Sequence, residues 1–291
     1  MTATTKSVHV ARKRITSETM SSIILNTVLV IMSFLMVFPI LWWIFATFTP
    51  IREIGTLNFI PANPTLENYI QGWNMSARFS FAVFFRNSLF IGIANVTGAV
   101  LTSGFVAYGF SRVNFKFRQF WFSVLLTTLM LPGQVTIISQ FLLYHNLNLV
   151  DTYVPLILPN WLGGGAFFIF LVTQNIRSIP IELDEAAKID GAGVFRIYWQ
   201  IIFPLIRAPL TAVAIFVFVW TWDDFLTQVL YISSMNLFTV GLALRMFVDQ
   251  TSVQWGELLA MAFLSIIPSV ILFFCAQKQF VEGIATTGIK G

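Results

Sequence analysis

The sequence predicts an all-α integral membrane protein with six transmembrane helices, and three observations support this fold class. Hydrophobic residues make up 57% of the 291 residues and charged residues 10%, whereas about a quarter of a typical soluble domain is charged. The mean hydropathy is +0.79, and six separate stretches are long and apolar enough to cross a bilayer. The composition therefore excludes a soluble fold, and the net charge of +4 indicates orientation in the membrane rather than nucleic-acid binding.

The six predicted spans follow from the length of each apolar run, because a helix needs about 20 residues to cross the hydrocarbon core. They are Ser22–Phe48, Asn87–Phe110, Phe120–Tyr144, Val154–Ile176, Pro209–Tyr231 and Glu257–Lys278. Prolines lie inside four of them, at positions 39, 132, 159 and 268. Neighbouring helices can satisfy the carbonyls that a proline frees in a bilayer, so we predict kinks there rather than breaks.

Three consecutive glycines, at positions 163–165, remove the side chains from part of the fourth span. Small residues let helix backbones approach closely, which predicts tight packing against a neighbouring helix. The alternative is a loosened hinge in a moving helix, because glycine leaves the backbone free.

The distribution of Lys and Arg predicts that both termini are cytoplasmic. With the N-terminus inside, thirteen of the seventeen basic residues fall on inner segments, and the outer side keeps Arg52, Arg78, Arg86 and Arg245. Cytoplasmic segments of membrane proteins carry such an excess. The predicted organisation is a cytoplasmic tail over residues 1–21, a membrane domain over 22–279 that includes a cytoplasmic loop at 177–208, and a second cytoplasmic tail over 280–291.

The 177–208 loop is predicted to form two short helices joined by a turn at the inner membrane surface. Ser178 can cap the first helix, and Pro180 suits its first turn. Negative charge near the positive end of this helix would stabilise it, and the acidic residues there are Glu182, Asp184 and Glu185. Asp190-Gly191 then makes the turn, because glycine tolerates a left-handed backbone.

The second helix of the 177–208 loop is predicted over Val194–Phe203, and Pro204 ends it. Its apolar residues recur at helical spacing and form one stripe, made of Phe195, Tyr198, Ile201 and Ile202. By periodicity alone, a helix that merely rests on lipid explains this stripe as well as a functional loop does. A DNA-reading helix-turn-helix is excluded, because both ends of the loop are tied directly to membrane helices.

The residues of the 177–208 loop closely resemble the EAA loop of ABC-importer permeases. The matching positions, in the same order and spacing, are Glu185-Ala186-Ala187, Asp190-Gly191-Ala192, Phe195 and Pro204. The resemblance implies a type I importer permease fold, in which this loop is the coupling element that docks in a cleft of a separate ATP-binding subunit. It also implies that Glu185 lies near a basic partner and that Gly191 makes the turn. Ala186 and Ala187 would allow close helix contact.

A resemblance to carbohydrate permeases extends over nearly the whole chain. The similar segments are Pro61–Tyr69, Arg86–Ser88, Asp151–Tyr153, Trp222–Phe225 and the tail Val281–Gly291. The tail is similar to that of the shorter permease of maltose-type importers, which reaches between two ATPase subunits, and this makes Glu282, Gly283 and Lys290 candidates for such a contact. The tail also resembles those of permeases for plant or algal polysaccharide fragments, many of which are acidic uronate oligosaccharides such as alginate or pectin fragments.

The fifth span holds the candidates for a translocation path. Ionisable groups at membrane depth are costly and often functional, and aromatic rings can stack on sugars. The candidates are Trp220, Trp222, Asp223, Asp224 and Phe225. A structural role at the outer interface is the alternative, where tryptophan is common without any ligand. An acidic pair in such a path would repel an acidic sugar.

The 233–256 loop, between the last two spans, is long and mixed in polarity. The family resemblance implies that part of it reaches into an extracytoplasmic binding protein. The candidate contacts are Arg245, Val248 and Asp249. A simple solvated connection between two spans is the alternative.

The sequence has no motif that would make this chain an enzyme. No G-x-x-x-x-G-K-[ST] occurs, no cluster of His, Asp and Glu has metal-ligand spacing, and the one cysteine cannot form an intrachain disulfide. The resemblance implies a bacterial inner-membrane permease with a second permease, two ATP-binding subunits that hold ATP and Mg²⁺, and a solute-binding protein as partners. A secondary transporter acting without an ATPase is the alternative, although it would usually show internal repeats and broken helices in one chain.

Overall fold

The computed structural model describes residues 17–55, 59–75, 79–163, 165–248 and 253–288. Over these ranges the regular structure is helical, apart from one isolated antiparallel bridge between Val248 and Val253. The helices are α1 Ser17–Thr47, α2 Glu67–Trp73, α3 Phe81–Arg112, α4 Arg118–Thr128, α5 Gly133–Asn146, α6 Val154–Leu162, α7 Ala166–Ser178, α8 Glu182–Ile189, α9 Val194–Ile197, α10 Phe203–Leu205, α11 Arg207–Asp223, α12 Leu226–Tyr231, α13 Val240–Arg245 and α14 Trp255–Gly288. A π turn, Tyr198–Ile202, makes α9 and α10 continuous, and short 3-10 turns lie at Ile51–Glu53 and Met235–Leu237.

The described residues hold four to six candidate membrane spans, which agrees with an all-helical membrane protein. Four are long and apolar enough alone: Met20–Thr47, Phe81–Arg112, Val154–Ser178 and Trp255–Cys275. Two bent pairs raise the number to six if each pair is one span, namely α4 with α5 and the Val194–Leu205 helix with α11. The side of the membrane on which each terminus lies stays a prediction.

The third predicted span is broken rather than kinked, so the prediction is wrong at Pro132. α4 and α5 meet at an angle of 100°. Proline has no N–H to donate and disfavours helix for the residue before it, and Gly133 adds backbone freedom directly after it. The helices continue through Pro39, Pro159 and Pro268, so no break occurs there.

The glycine run separates α6 from α7 within the fourth span. Gly165 has a φ of +87°. A Cβ at Gly163 would meet nothing within 4 Å, and the nearest atoms to a Cβ at Gly165 belong to Phe168 of α7 itself. Close packing against a neighbouring helix is therefore the wrong prediction for these two glycines. These glycines interrupt the helix between α6 and α7. The alternative prediction, a loosened hinge in this span, requires such an interruption.

The fifth span ends earlier than predicted, at Asp223 rather than Tyr231. The backbone of Asp224 is extended, with φ −69° and ψ 105°, and its carboxylate accepts a bond from the Thr227 amide at 3.0 Å. Asp224 thus stops α11 and begins α12. A bend of 76° separates α11 from the helix before it.

α3 lies at the centre of the packed body, where it contacts α6, α7, α11 and α13. Glycines permit the close approach: a Cβ at Gly98 would lie 2.5 Å from Trp161 Cδ1, and one at Gly104 would lie 2.5 Å from the Tyr198 hydroxyl. The largest core cluster joins buried side chains of α3, α7, α8 and α11 with those of the 194–205 helix. The 177–208 loop is therefore part of the same core as the membrane helices.

α1 stands largely outside this body. None of its membrane-spanning window is buried, and its packing is against α14, where Trp43 Nε1 donates to the Leu259 carbonyl at 3.2 Å. A helix that is apolar all round needs an apolar environment on every side, so lipid or another membrane protein must surround α1. Its first residue, Ser17, falls inside the predicted 1–21 tail, and α14 likewise continues into the predicted 280–291 tail.

Candidate functional site

The 177–208 loop folds as two short helices joined by a turn, as predicted. α8 carries its acidic residues in the first turn. The prediction for Ser178 is wrong, because this residue ends α7 and its hydroxyl donates to the Asn175 carbonyl at 2.8 Å. Ile181 is the residue before α8, and it makes no side-chain capping bond.

The turn after α8 depends on Gly191. Its φ is +80°, a conformation that is costly for a residue with a Cβ. The Gly191 amide donates to the Lys188 carbonyl at 3.0 Å, and the Ala192 amide donates to the Ala187 carbonyl at 2.9 Å. This pair of bonds is the Schellman motif that ends many helices. The predicted Asp190-Gly191 turn is confirmed, together with its backbone cause.

The second helix of the loop spans Val194–Leu205, within two residues of the predicted end. Pro204 lies in its last turn, directly after the π turn Tyr198–Ile202. A proline at this place leaves a carbonyl of the preceding turn without its donor, which accompanies irregular helical turns. The predicted apolar stripe is divided, because Phe195 is 75% exposed whereas Tyr198 is fully buried.

A buried ion pair fixes α8 to the end of α3. Arg112 Nε lies 3.2 Å from Asp184 Oδ2, and the two side chains are 8% and 3% exposed. The guanidinium also donates to the Ile179 carbonyl at 2.5 Å, and the Tyr108 hydroxyl donates to the Val194 carbonyl at 3.2 Å. Burial raises the pKa of Asp184, and the charge of Arg112 opposes that rise. Sequence reasoning missed this pair. The one signal for it in the sequence was that both residues are predicted to lie on the cytoplasmic side of the membrane.

The outer face of the 177–208 loop combines acidic and apolar side chains. Its exposed residues include Glu185, Ala186, Ile189, Asp190 and Phe195, together with the basic Lys188 and Arg196. Ile189 is 86% exposed and Phe195 is 75% exposed. Ala187 is instead buried in the core cluster and Ala192 is half-buried against it, so the Ala187 side chain is not on the outer face. Exposed apolar side chains that lie together mark contacts with another protein or with a membrane.

A cavity of about 580 Å³ opens among α3, α5, α6 and α11. Its polar lining consists of amides, hydroxyls and carboxylates from Asn95, Gln140, Asn160, Thr221, Asp223, Asp224, Thr227 and Gln228. Trp220 and Phe168 add aromatic surface, with ring centroids 5.3 Å apart. Amide and carboxylate groups hydrogen-bond hydroxyls, and a tryptophan ring offers a broad apolar face. The cavity therefore suits a hydroxyl-rich molecule.

The five residues predicted for the path are not all in this cavity. Trp220, Asp223 and Asp224 line it, whereas Trp222 and Phe225 do not. Trp222 is buried and its Nε1 donates to the Ser265 carbonyl of α14 at 2.9 Å. Asp223 and Trp222 line a second cavity, of about 750 Å³, between α11, α13 and α14. Asp223 thus separates the two cavities.

The described part of the 233–256 loop is folded and tied to α3. Asn87 Nδ2 donates to the carbonyls of Asn236 and Phe238, each at 2.9 Å. The Val240 amide donates to Ser88 Oγ at 2.9 Å. These bonds give Asn87 and Ser88 a structural role. The resemblance of the Arg86–Ser88 segment to carbohydrate permeases does not by itself indicate that role. A simple solvated connection does not describe this part of the loop.

Asp151 holds the start of the same loop. Its carboxylate accepts bonds from the Ser234 hydroxyl and from the amides of Ser234 at 2.8 Å and Ser233 at 2.9 Å. These bonds, the one from the hydroxyl above all, lower the pKa of Asp151. The Tyr153 hydroxyl donates to the Leu237 carbonyl at 3.2 Å. The Asp151–Tyr153 segment therefore anchors the loop from the side of α6.

The remaining candidates are placed in part. Arg245 ends α13 and is exposed, and Val248 is 49% exposed. Asp249 lies outside the described residues. The backbone of Glu282 and Gly283 belongs to α14, and Lys290 again lies outside the described ranges.

Replacing Gly191 with valine should destabilise the 177–208 loop by about 1–2 kcal/mol, the cost of a left-handed backbone for a residue with a Cβ. A Cβ there meets nothing within 4 Å, so the effect is confined to the backbone. Gly193→Val is the matched control, because that position is equally open but has a φ of −76°. Amide exchange of the loop in detergent measures both variants. Equal effects at the two glycines would contradict the assignment of the turn.

Comparison with known proteins places this arrangement in a family. A family model described as the inner membrane component of binding-protein-dependent transport systems matches residues 99–285. The chain belongs to this family. It is therefore a multi-pass inner-membrane permease and a non-catalytic subunit, and membership implies an ATPase and a binding protein as partners.

Individual relatives match along most of their length. The chain is 34% identical over 263 residues to AraQ of Halalkalibacterium halodurans, an arabinooligosaccharides transport system permease protein, covering 89% of this chain and 93% of the relative. It is 31% identical over 264 residues to GanQ of Bacillus subtilis, a galactooligosaccharides transport system permease protein, covering 90% and 93%.

A solved structure shares the fold. The structure is that of a bacterial ABC transporter involved in the import of the acidic polysaccharide alginate, and one of its chains matches with a TM-score of 0.79 over 90% of this chain and 97% of that chain. The sequence identity is 19%, so the likeness concerns the fold alone. The predicted importer-permease fold is confirmed to this extent.

Proposed function

We propose that this chain is one of two permease subunits of an ATP-driven importer for oligosaccharides, which an extracytoplasmic binding protein delivers. The observation that carries the proposal is the 177–208 loop, whose acidic and apolar outer face is clamped to α3 by the buried Arg112–Asp184 pair. A surface that is exposed yet rigidly held can pass the motion of a docked subunit to the membrane helices. A loop that merely rests on lipid would need no such clamp.

The energy in this proposal comes from other chains. The sequence has no P-loop, so two ATP-binding subunits hold the ATP and Mg²⁺. They dock on the 177–208 loop of this chain and on the corresponding loop of a second permease. The exposed Glu185 and the apolar Ile189 and Phe195 are the proposed contacts, with Glu282, Gly283 and Lys290 of the tail as further ones. On the opposite side, Arg245, Val248 and Asp249 are proposed to face the binding protein.

The sugar part of the proposal has two supports. The names of AraQ and GanQ refer to the transport of oligosaccharides, and both relatives align along nearly the whole chain. The cavity of about 580 Å³ offers amides, carboxylates and the Trp220 ring, which are groups that bind hydroxyls and pack on sugar rings.

Reconstitution tests the proposal against a secondary transporter. The chain alone in liposomes should move no sugar with ATP, a proton gradient or a sodium gradient. Adding the second permease and the ATP-binding subunit should give a complex whose ATP hydrolysis rises when a loaded binding protein is present. Gradient-driven sugar uptake by the lone chain would overturn the proposal.

A further inference from the structure

The cavity of about 580 Å³ that Trp220 lines has a one-sided charge. Its described lining includes two carboxylates, Asp223 and Asp224, and none of those lining residues is Lys, Arg or His. One carboxylate oxygen of Asp224 accepts a hydrogen bond from the Thr227 amide. Asp223 is exposed in the cavity and makes no hydrogen bond or ion pair with another described residue. The part of the cavity wall that this chain provides therefore carries uncompensated negative charge.

Asn95 adds an unfilled acceptor to the same wall. This residue is 3% exposed, and its Nδ2 donates to Thr221 Oγ1 at 3.2 Å. Its carbonyl oxygen Oδ1 is buried without a hydrogen-bond partner among the described residues. A buried carbonyl without a donor is costly. Because Asn95 and Thr221 both line the cavity, an O–H donor that enters there can relieve this cost.

We propose that this cavity accepts uncharged, polyhydroxylated saccharides and rejects uronates, with Asp223 as the discriminating residue; this rests on the proposed function. Hydroxyl groups donate to the Asp223 carboxylate and to the Asn95 carbonyl, and the half-exposed Trp220 packs on the ring. A sugar carboxylate has no proton to donate at neutral pH and meets a like charge. At contact range, in a medium less polar than water, this repulsion weakens binding about tenfold or more.

The test measures saccharide binding to the purified complex of this chain with its second permease and ATP-binding subunits, without the binding protein. The probes are a galactose trisaccharide and the galacturonate trisaccharide of the same linkage, with a matched glucose and glucuronate pair beside them. The members of each pair differ at C6, where CH₂OH replaces a carboxylate. We expect a neutral member to bind at least about tenfold more tightly than its acidic partner at neutral pH.

Asp223→Asn should reduce this preference about tenfold, because the amide keeps an acceptor and removes the charge. Glu67→Gln is the control, since that carboxylate lies on α2 and lines no part of this cavity, and its preference should match that of the original chain. Tighter or equal binding of the uronates, binding of no neutral probe, or an unchanged preference in Asp223→Asn would overturn the inference. Assembly with the ATP-binding subunit, scored in the same preparation, reports on the proposed function separately.

Discussion

Replacing Arg112 with alanine should destabilise the chain by about 3–5 kcal/mol, the cost of leaving one partner of a buried ion pair without the other. The variant keeps the Asp184 carboxylate, which is 3% exposed, and removes both its counter-charge and the donor to the Ile179 carbonyl. Equilibrium unfolding in mixed detergent micelles measures the loss. Arg196→Ala is the control, because Arg196 is an exposed arginine on the same loop, and its effect should stay within about 0.5 kcal/mol.

The pH dependence of the Arg112→Ala variant should show that its loss of stability comes from the unpaired Asp184 carboxylate. Burial already raises the pKa of Asp184, and Arg112 opposes that rise, so removing Arg112 should raise the pKa further. A carboxyl whose pKa is higher in the folded state than in the unfolded state destabilises the fold above the folded pKa. The deficit should therefore shrink as the pH falls through that value. Arg112→Ala combined with Asp184→Asn should also be less damaging than Arg112→Ala alone. A deficit independent of pH would contradict the ion-pair explanation.

Replacing Asn87 with leucine should loosen the 233–256 loop. Asn87 is 5% exposed, and its amide donates to two carbonyls of that loop. Leucine has a similar size and no donor, so both carbonyls lose their partner, at about 1–3 kcal/mol for each one that stays buried. Hydrogen exchange followed by mass spectrometry should show faster exchange in peptides covering residues 235–248.

Asn114→Leu is the matched control for that experiment. Asn114 is exposed just beyond the end of α3, so the same substitution there removes no buried donor and should leave exchange in the 233–256 loop unchanged. If Asn87→Leu also left the exchange unchanged, Asn87 would not be what ties this loop to α3.

Hydropathy predicts the positions of the spans well, because each apolar run must lie in the bilayer whatever its neighbours are. It does not predict where a span breaks. Pro132 breaks its span and Pro268 does not. Gly133 directly after Pro132 adds backbone freedom that Ser269 after Pro268 does not. Length alone also extended the fifth span past Asp223, where the extended backbone of Asp224 ends α11.

The candidate site likewise has some features that the sequence predicts and others that it does not. The Gly191 turn was predictable, because the residue that adopts the left-handed backbone is itself the glycine that permits it. The Arg112–Asp184 pair joins residues that are far apart in sequence, so local patterns do not contain it. The same holds for the cavity: its walls come from several helices, and the division of roles between Asp223 and Asp224 depends on which carboxylate reaches the Thr227 amide.

α3 is one uninterrupted helix of 32 residues, about 48 Å long at 1.5 Å per residue. Near one end, Arg112 and Tyr108 bind the 177–208 loop. Near the other end, Asn87 and Ser88 bind the 233–256 loop. Asn95, between them, borders the cavity of about 580 Å³. A rigid helix of this length transmits a rotation at one end to the other end. A tilt of about 5° about one end carries the other end through roughly 4 Å, so a small rotation imposed at either loop is felt as a displacement at the opposite one.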